Sequence, residues 1–259
     1  MKVYVLLQCS KKKSFSIPEN LIWTESSTIE DWKKDWEKSE NLYLVRDLYN
    51  GRSIKKELDL IDHFKHVNAY VISGGAGLVS LDEKIPSYDA SFNSDGPSVE
   101  NWFRLPNGGL QKLQINSGDV IVSFASPAYH RALLNDPYLE KFASKLIVSH
   151  TSPLSKLEEV HSVKIHPRTA EFLKVASIDL NSELLRIYLE NGIQGFSEVY
   201  RKCELLPPIK TRIKISDSDL ENLIQQLGEI KSISETVFHI RHDLGISVSY
   251  ERVSSFIKK

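Results

Sequence analysis

Short, uniformly apolar runs separated by polar stretches set the pattern of this chain. Val3–Leu7, Ala69–Ser73, Val120–Ala125 and Leu146–Ser149 carry no alternation and are bounded by Gly, Ser, Lys or Pro, which predicts short buried strands. Ile54–Phe64 has the spacing of an amphipathic helix. Ser126-Pro127-Ala128 opens a helix over Tyr129–Leu134, with proline in the first turn. Ile29–Leu48 mixes tryptophans with charges and is helical in part, with Trp32 and Trp36 (i, i+4) forming one apolar stripe. Strands alternating with helices predict an α/β fold, a central and largely parallel sheet flanked by helices.

Ser91–Gly109 contains Gly96-Pro97 and Pro106-Asn107-Gly108-Gly109 and reads as a long loop with room for a hairpin, a candidate lid. Thr169–Leu173 and Ser182–Glu190 are expected helices, the second capped from Asp179-Leu180-Asn181. Pro207-Pro208 and the basic Lys210–Lys214 mark a linker, 207–215. Beyond it, Ser216–Gln226, Ser232–Leu244 and Tyr250–Ile257 predict three helices, with Gly245 stopping the second. The expected organisation is an α/β domain over 1–206 and a small helix-turn-helix-like module over 216–259.

With 259 residues, 41% of them hydrophobic, the chain can bury one large core. Its 33 basic and 34 acidic residues nearly cancel, so any surface for nucleic acid must be local. Cys9 and Cys203 form no disulfide framework or CxxC knuckle, which fits a reducing compartment. Met1-Lys2 leads into an apolar run too short for a signal peptide or a membrane span, so a cytoplasmic protein without membrane attachment is expected.

Ligands of open α/β sheets bind outside the carboxyl ends of the strands. Those ends are Cys9-Ser10, Ser73-Gly74-Gly75, Ser123–Ser126 and Ser149-His150, a polar rim. Ala69–Asp89 is the richest stretch, because a strand empties into Ser73-Gly74-Gly75-Ala76-Gly77 with Asp82, Glu83, Tyr88 and Asp89 close behind. Such a turn either offers backbone N–H groups to a ligand or is a tight structural reversal. Cys9-Ser10-Lys11-Lys12-Lys13 either meets a phosphate or is a buried cysteine beside solvated lysines, and it lacks P-loop spacing. In Arg46-Asp47-Leu48-Tyr49, Arg46 suits a phosphate and Asp47 a substrate hydroxyl, against a plain surface ion pair. His166-Pro167-Arg168 is a polar turn suited to a phosphodiester contact. The eight histidines show no metal-ligand spacing, and no metal is assigned. Arg241, Tyr250 and Arg252, with His239, His242 and Lys258-Lys259, either contact DNA or serve packing and dimerisation.

Four of these motifs, in this order, resemble a bacterial family labelled YaaA-like. It has a Cys-Ser-x-x-Lys turn after the first strand, an Arg/Ala-x-Asp-Leu-Tyr element, a strand ending in Ser-Ala-x-x-Gly-Leu-Leu, and a Pro-x-Tyr-Asp segment. Here they are Cys9-Ser10-Lys11-Lys12, Arg46-Asp47-Leu48-Tyr49, Ser73-Gly74-Gly75-Ala76-Gly77-Leu78-Val79 and Pro86-Ser87-Tyr88-Asp89. Ser-Gly-Gly departs from the family's more frequent Ser-Ala-Lys-His. The longer architecture is similar to anti-phage DNA glycosylases of the Brig type, which remove modified bases from viral DNA.

The resulting expectation is an N-glycosidase acting on a base, modified or not, in nucleic acid, DNA first, with no cofactor. A polar α/β pocket would hold an extruded base while the helical tail grips the duplex. Asp89, with Asp82 in reserve, would stabilise the oxocarbenium-like state. Asn93 would orient water or bind the base, and Tyr88 would stack on it. Ser73-Gly74-Gly75 would line the pocket beside Cys9, Ser10 and Asp47, and Lys12, Arg46 and Arg168 would neutralise phosphates. Two rivals are a non-enzymatic nucleic-acid-binding stress protein and a transferase acting on free nucleosides or nucleotides.

Overall fold

The first apolar run becomes β1 (Val3–Gln8), a central strand buried along nearly its whole length. The computed structural model describes residues 1–92, 96–206, 213–227 and 232–257. The chain divides into two compact units, 1–205 and 206–259.

In the first unit β1 is followed by α1 (Ile29–Glu37), β2 (Leu42–Leu44), α2 (Val45–Leu48), α3 (Arg52–Ile61), β3 (Val67–Ser73), β4 (Gly77–Ser80) and β5 (Lys84–Pro86). Then come β6 (Val120–Ser123), α4 (Pro127–Leu134), α5 (Leu139–Phe142), β7 (Leu146–Ser149), β8 (His161–Val163), α6 (Thr169–Phe172) and α7 (Leu180–Glu204). The main sheet has the order β4-β3-β1-β6-β7-β8, and β2 pairs with β5 in a second, antiparallel sheet. Every pairing from β3 to β8 is parallel, while β4 returns antiparallel on β3. The chain is thus α/β, a six-stranded and mostly parallel sheet flanked by helices. Val5, Leu6, Val71, Ile72, Ile121, Val122 and Val148 are buried, as strands covered on both faces require.

Several elements differ from the sequence pattern. The mixed stretch 29–48 is helical only to Glu37 and then gives β2 and a helical turn, so Arg46-Asp47-Leu48 lies on α2. The run Leu78-Val79 is too short to announce β4, which forms because the glycine turn folds it back onto β3 in a hairpin. Ser91–Gly109 contains a 3-10 helix, Val99–Arg104, and no strand among its described residues. Its Trp102 is fully buried, so this loop packs into the core. α7 runs far beyond the expected Ser182–Glu190, with a break at Gly192, whose φ of +62° suits glycine.

The second unit holds α8 (Asp217–Gln226), α9 (Ile233–His242) and α10 (Tyr250–Ile257) around Leu220, Ile224, Val237, Ile240, Val248 and Val253. Ser216 Oγ accepts from Asp219 N–H (3.1 Å) and Ser232 Oγ from Glu235 N–H (3.1 Å), so a serine caps the start of each of these two helices. Gly245, at φ +67°, reverses the chain. There, Ile213 N–H donates to Gly245 O (2.9 Å) and Ser247 N–H to Ile213 O (2.9 Å). Residues 207–212 of the expected linker lie outside the described residues. Among the described residues no helix is long and apolar enough to cross a membrane.

Candidate functional site

Part of each of the four sequence motifs reaches one place, the carboxyl end of β1 and β3. The segment after β1 is clamped to the end of α2. Ser14 N–H donates to Leu48 O (2.9 Å) and Asn50 N–H to Lys12 O (2.9 Å). Ser10 Oγ accepts from Gly51 N–H (3.1 Å) and donates to Lys12 O (2.8 Å). This brings Tyr49 beside the last two motifs. Its hydroxyl lies 2.6 Å from that of Tyr88, which in turn bonds Ser73 Oγ. Ser73 Oγ also accepts from the N–H groups of Gly75 (3.2 Å) and Ala76 (2.9 Å). With both lone pairs engaged, Ser73 donates its proton to Tyr88, and Tyr88 donates to Tyr49. Burial raises the pKa of both tyrosines, so both remain neutral phenols.

Lys13, one residue beyond the quoted motif, is the cation of this cluster. Its Nζ donates to Ser10 O (2.8 Å) and lies 4.6 Å from the Tyr88 ring centroid and 5.0 Å from that of Tyr49. Desolvation lowers its pKa, against the opposing pull of Cys9 and Asp89, while Lys11 adds to the lowering. Lys12 is exposed. The Cys-Ser-x-x-Lys spacing counted from Cys9 ends on Lys13, and that is the signal that separates the inward lysine from its neighbours. Asp89 is half-buried, and its main chain is held on both sides, its N–H by Leu21 O (2.9 Å) and its carbonyl by Trp23 N–H (2.8 Å). Its main chain is thus fixed, and its carboxylate acts electrostatically on the Lys13 ammonium.

The glycine turn does not present its backbone to a ligand, contrary to the role expected for Gly74 and Gly75. Trp102 Nε1 donates to Ser73 O (2.9 Å), Trp32 Nε1 to Gly75 O (2.7 Å), and Asn107 N–H to Ala76 O (2.8 Å). A Cβ on Gly75 would lie 2.6 Å from the Tyr88 ring, and one on Gly74 2.9 Å from Ser91 Cα. These glycines admit the segment Tyr88–Ser91. Tyr88 is likewise no stacking platform, because it is fully buried against Trp32 and Trp36, at 6.3 and 5.4 Å between centroids. The tryptophan stripe of α1 forms as expected, and its target is Tyr88.

Toward β6 the strand ends are part-exposed, at Gln8, Ala125 and Ser126. β1 leads through α3 to one side of the sheet and β6 leads through α4 to the other, so the crevice between their ends is the switch point. Ser126 N–H donates there to Gln8 Oε1 (2.9 Å). Tyr129 of α4 donates to Cys9 O (3.3 Å), which leaves the buried Cys9 thiol to donate to Tyr129 Oη (3.2 Å). Burial and Cys9 raise the Tyr129 pKa. Half-buried Phe92 meets the Tyr129 ring edge to face at 5.2 Å. Neither Phe92 nor Tyr129 stood out in the sequence as a site residue.

Deeper in, His130 links two serines. Ser123 Oγ donates to Leu6 O (3.0 Å) and accepts from His130 Nε2 (3.0 Å), while His130 Nδ1 accepts from Ser152 Oγ (2.7 Å). Burial drops this imidazole to a pKa of about 4. Because Nε2 carries the proton toward Ser123, the pair is a satisfied core contact and not a nucleophile with its base.

The remaining expected residues lie apart from the cluster. Asp82 is exposed beyond β4, near the amino end of β3, where it and Arg46 line a polar cavity of about 340 Å³. Arg46 pairs with Asp62 (3.1 Å), the plain surface ion pair, and exposed Asp47 lines another cavity of about 540 Å³ with Ser14, Tyr49 and Asp59. Neither Asp82 nor Arg46 therefore joins Asp89. Arg168 lies beyond β8 and pairs bidentately with Glu171 (2.8 and 2.7 Å). Asn93 lies outside the described residues. In the second unit, Arg252 binds Asp217 (2.7 Å) and Ile215 O (2.8 Å), and Arg241 binds Val248 O (2.8 Å). Both arginines brace their own module, whereas Tyr250 is 47% exposed.

Among the described residues no group of three His, Cys, Asp or Glu side chains is placed to hold a metal ion. Compared with known proteins, the chain matches no family model, no curated protein and no solved structure.

Proposed function

We propose that this chain is an N-glycosidase that removes a base from nucleic acid, DNA first. The observation that carries the proposal is Asp89, whose main chain is pinned on both sides and whose carboxylate acts electrostatically on the desolvated Lys13 near the carboxyl edge of a parallel sheet. N-glycosidic cleavage builds positive charge on the sugar, and a preorganised carboxylate beside the anomeric carbon stabilises that charge. Phe92 and Tyr129 flank the switch-point crevice with aromatic surface suited to an extruded base, the role expected of Tyr88. The chemistry needs no cofactor. The four-motif resemblance to YaaA-like proteins, and the broader one to Brig-type glycosylases, support the same reading and point to a modified base of viral DNA as substrate. Mass spectrometry of bases released from a panel of normal and modified DNAs tests it. Release of one base by the wild-type protein supports the proposal, and no release from any member of the panel refutes it.

One observation favours a second reading, a nucleic-acid-binding protein without catalysis. The glycine turn and Tyr88 are closed by the protein's own side chains, as a purely structural turn would be. Duplex binding without base release on the same panel identifies that case.

A further inference from the structure

We propose that the open edge of β8, with the groove between it and α7, binds an extended peptide that adds a strand to the main sheet. The peptide carries a large apolar residue and, at the second position after it, an acidic one. The site lies wholly in the first unit, and nothing in it depends on base removal.

β8 closes one end of the sheet and has β7 as its neighbour on one side only. His150 N–H donates to Val163 O (2.8 Å), so Val163 turns its peptide groups toward β7. Alternate residues of a strand turn theirs to opposite edges, which leaves the N–H and C=O of the exposed Ser162 facing outward. No other group among the described residues pairs with them. Such an edge accepts a further strand through main-chain hydrogen bonds.

A groove of about 360 Å³ opens beside this edge, lined by β8, Lys164 and the part of α7 from Ile193 to Arg201. Its floor is apolar. Val163 and Phe196 are buried there, and Ile193, the residue after the Gly192 break, is 39% exposed. The Tyr200 ring is held edge to face against His166 at 5.1 Å. Around this floor stand His161, Lys164 and Arg201, and no Asp or Glu lines the groove. Glu198, three residues before Arg201, is taken by Lys202 (2.6 Å). Lys164 and Arg201 have no carboxylate partner among the described residues.

An apolar floor with a cationic rim selects an occupant that is part apolar and part acidic. Every second side chain of an added strand points the same way, so one apolar and one acidic residue can both face α7. A second copy of this chain paired edge to edge would set His161, Lys164 and Arg201 against themselves, which like-charge repulsion opposes. The chain's own residues 207–214 fit no better, since they open with Pro207-Pro208, carry Lys210, Arg212 and Lys214, and include no acid. A nucleic-acid strand would meet the cations but offers no ladder of N–H and C=O groups to Ser162.

The test selects short random peptides on the full-length protein and measures the enriched ones in solution. The expected peptides share an apolar residue followed at the second position by Asp or Glu, and hydrogen exchange at the Ser162 amide slows when one binds. Ile193→Asp and Arg201→Glu, both at exposed positions, should each weaken binding by about tenfold or more. Binding to Arg201→Glu should recover when the acidic residue of the peptide is replaced by Lys. The exchange measurement on the wild-type protein decides the matter even if a variant fails to fold. No enriched peptide, binders that leave Ser162 exchange unchanged, or binders that tolerate both substitutions overturn the proposal. Slowed Ser162 exchange on adding a single-stranded oligonucleotide, with no peptide able to displace it, assigns the face to nucleic acid and overturns it as well.

Discussion

Tyr49 and Tyr88 touch hydroxyl to hydroxyl at 2.6 Å, and this contact joins segments that are 39 residues apart in the chain. Through Ser73 on one side and Lys13 on the other, it ties together every motif that singled out the amino-terminal part of the sequence. Because both hydroxyls are buried, removing one leaves the other short of a partner. Tyr49→Phe and Tyr88→Phe should each cost about 1–3 kcal/mol in urea unfolding. The double variant should cost less than the sum, since the shared Tyr49–Tyr88 hydrogen bond is lost only once, with Ser73 Oγ left without its acceptor as in Tyr88→Phe alone. Additive losses would show that the two residues do not depend on one another.

Gly75→Ala should destabilise the protein, because its Cβ would enter the Tyr88 ring at 2.6 Å. The expected loss is about 1–3 kcal/mol. Activity should fall in parallel, since the damage reaches the site through Tyr88. Gly118→Ala, where a Cβ meets nothing within 4 Å, should leave stability unchanged or slightly raised. Equal thermal unfolding of the wild-type and Gly75→Ala proteins would contradict the packing described.

Two buried groups give stability opposite slopes with pH. His130, at about 4 in the folded protein, stays neutral while the unfolded chain takes up its proton near 6.5. Its contribution therefore falls as pH drops from about 6.5 toward 4, by roughly 1.4 kcal/mol per unit. Glu57, packed against Ser182 at the junction of α3 and α7, is raised by burial to about 8. The folded protein then keeps a proton that the unfolded chain releases near 4.5, so stability falls as pH rises through that interval toward 8. The two slopes oppose each other between about 4.5 and 6.5, and Glu57 acts alone above that range. Denaturant unfolding at pH 6.5 and 8 should show a loss in the wild type that Glu57→Gln removes. An unchanged slope in the variant would place the titration elsewhere.

The two units have separate cores that share no residue. Truncation after Leu206 should leave the unfolding of the α/β unit intact and, if the module holds duplex DNA, weaken binding and flatten its salt dependence. Tyr250→Ala is a cleaner probe of that surface than Arg252→Ala, which also breaks the bonds to Asp217 and Ile215. Binding with the same affinity and salt slope after truncation would remove the module from DNA recognition.

What the sequence made legible follows from how local each signal is. β7 and α10 keep their expected bounds because apolar runs and turn residues delimit them. The Ser216 and Ser232 caps are decided within four residues. The clustering of the motifs was visible only as their order along the chain. The fate of Tyr88 was not legible, because burial depends on Trp32 and Trp36 arriving from α1, more than fifty residues upstream. Asp82 looked equivalent to Asp89 for a similar reason. Seven residues separate them in sequence, but β4 carries Asp82 back to the opposite end of the sheet. Which of three consecutive lysines turns inward is set by the bridge to Tyr49, a partner 36 positions away.

Single-turnover base release by the wild type and Asp89→Asn, on whichever DNA in the panel yields a base, tests the central claim most directly. The substitution keeps the size and mounting of the side chain and removes its charge. Losing one preorganised electrostatic contact typically costs about 10²–10³ in rate, or roughly 3–4 kcal/mol. Binding should change far less, because the contact is strongest in the transition state. The account predicts that loss in rate with duplex affinity nearly unchanged, whereas equal release rates for the two proteins would contradict it.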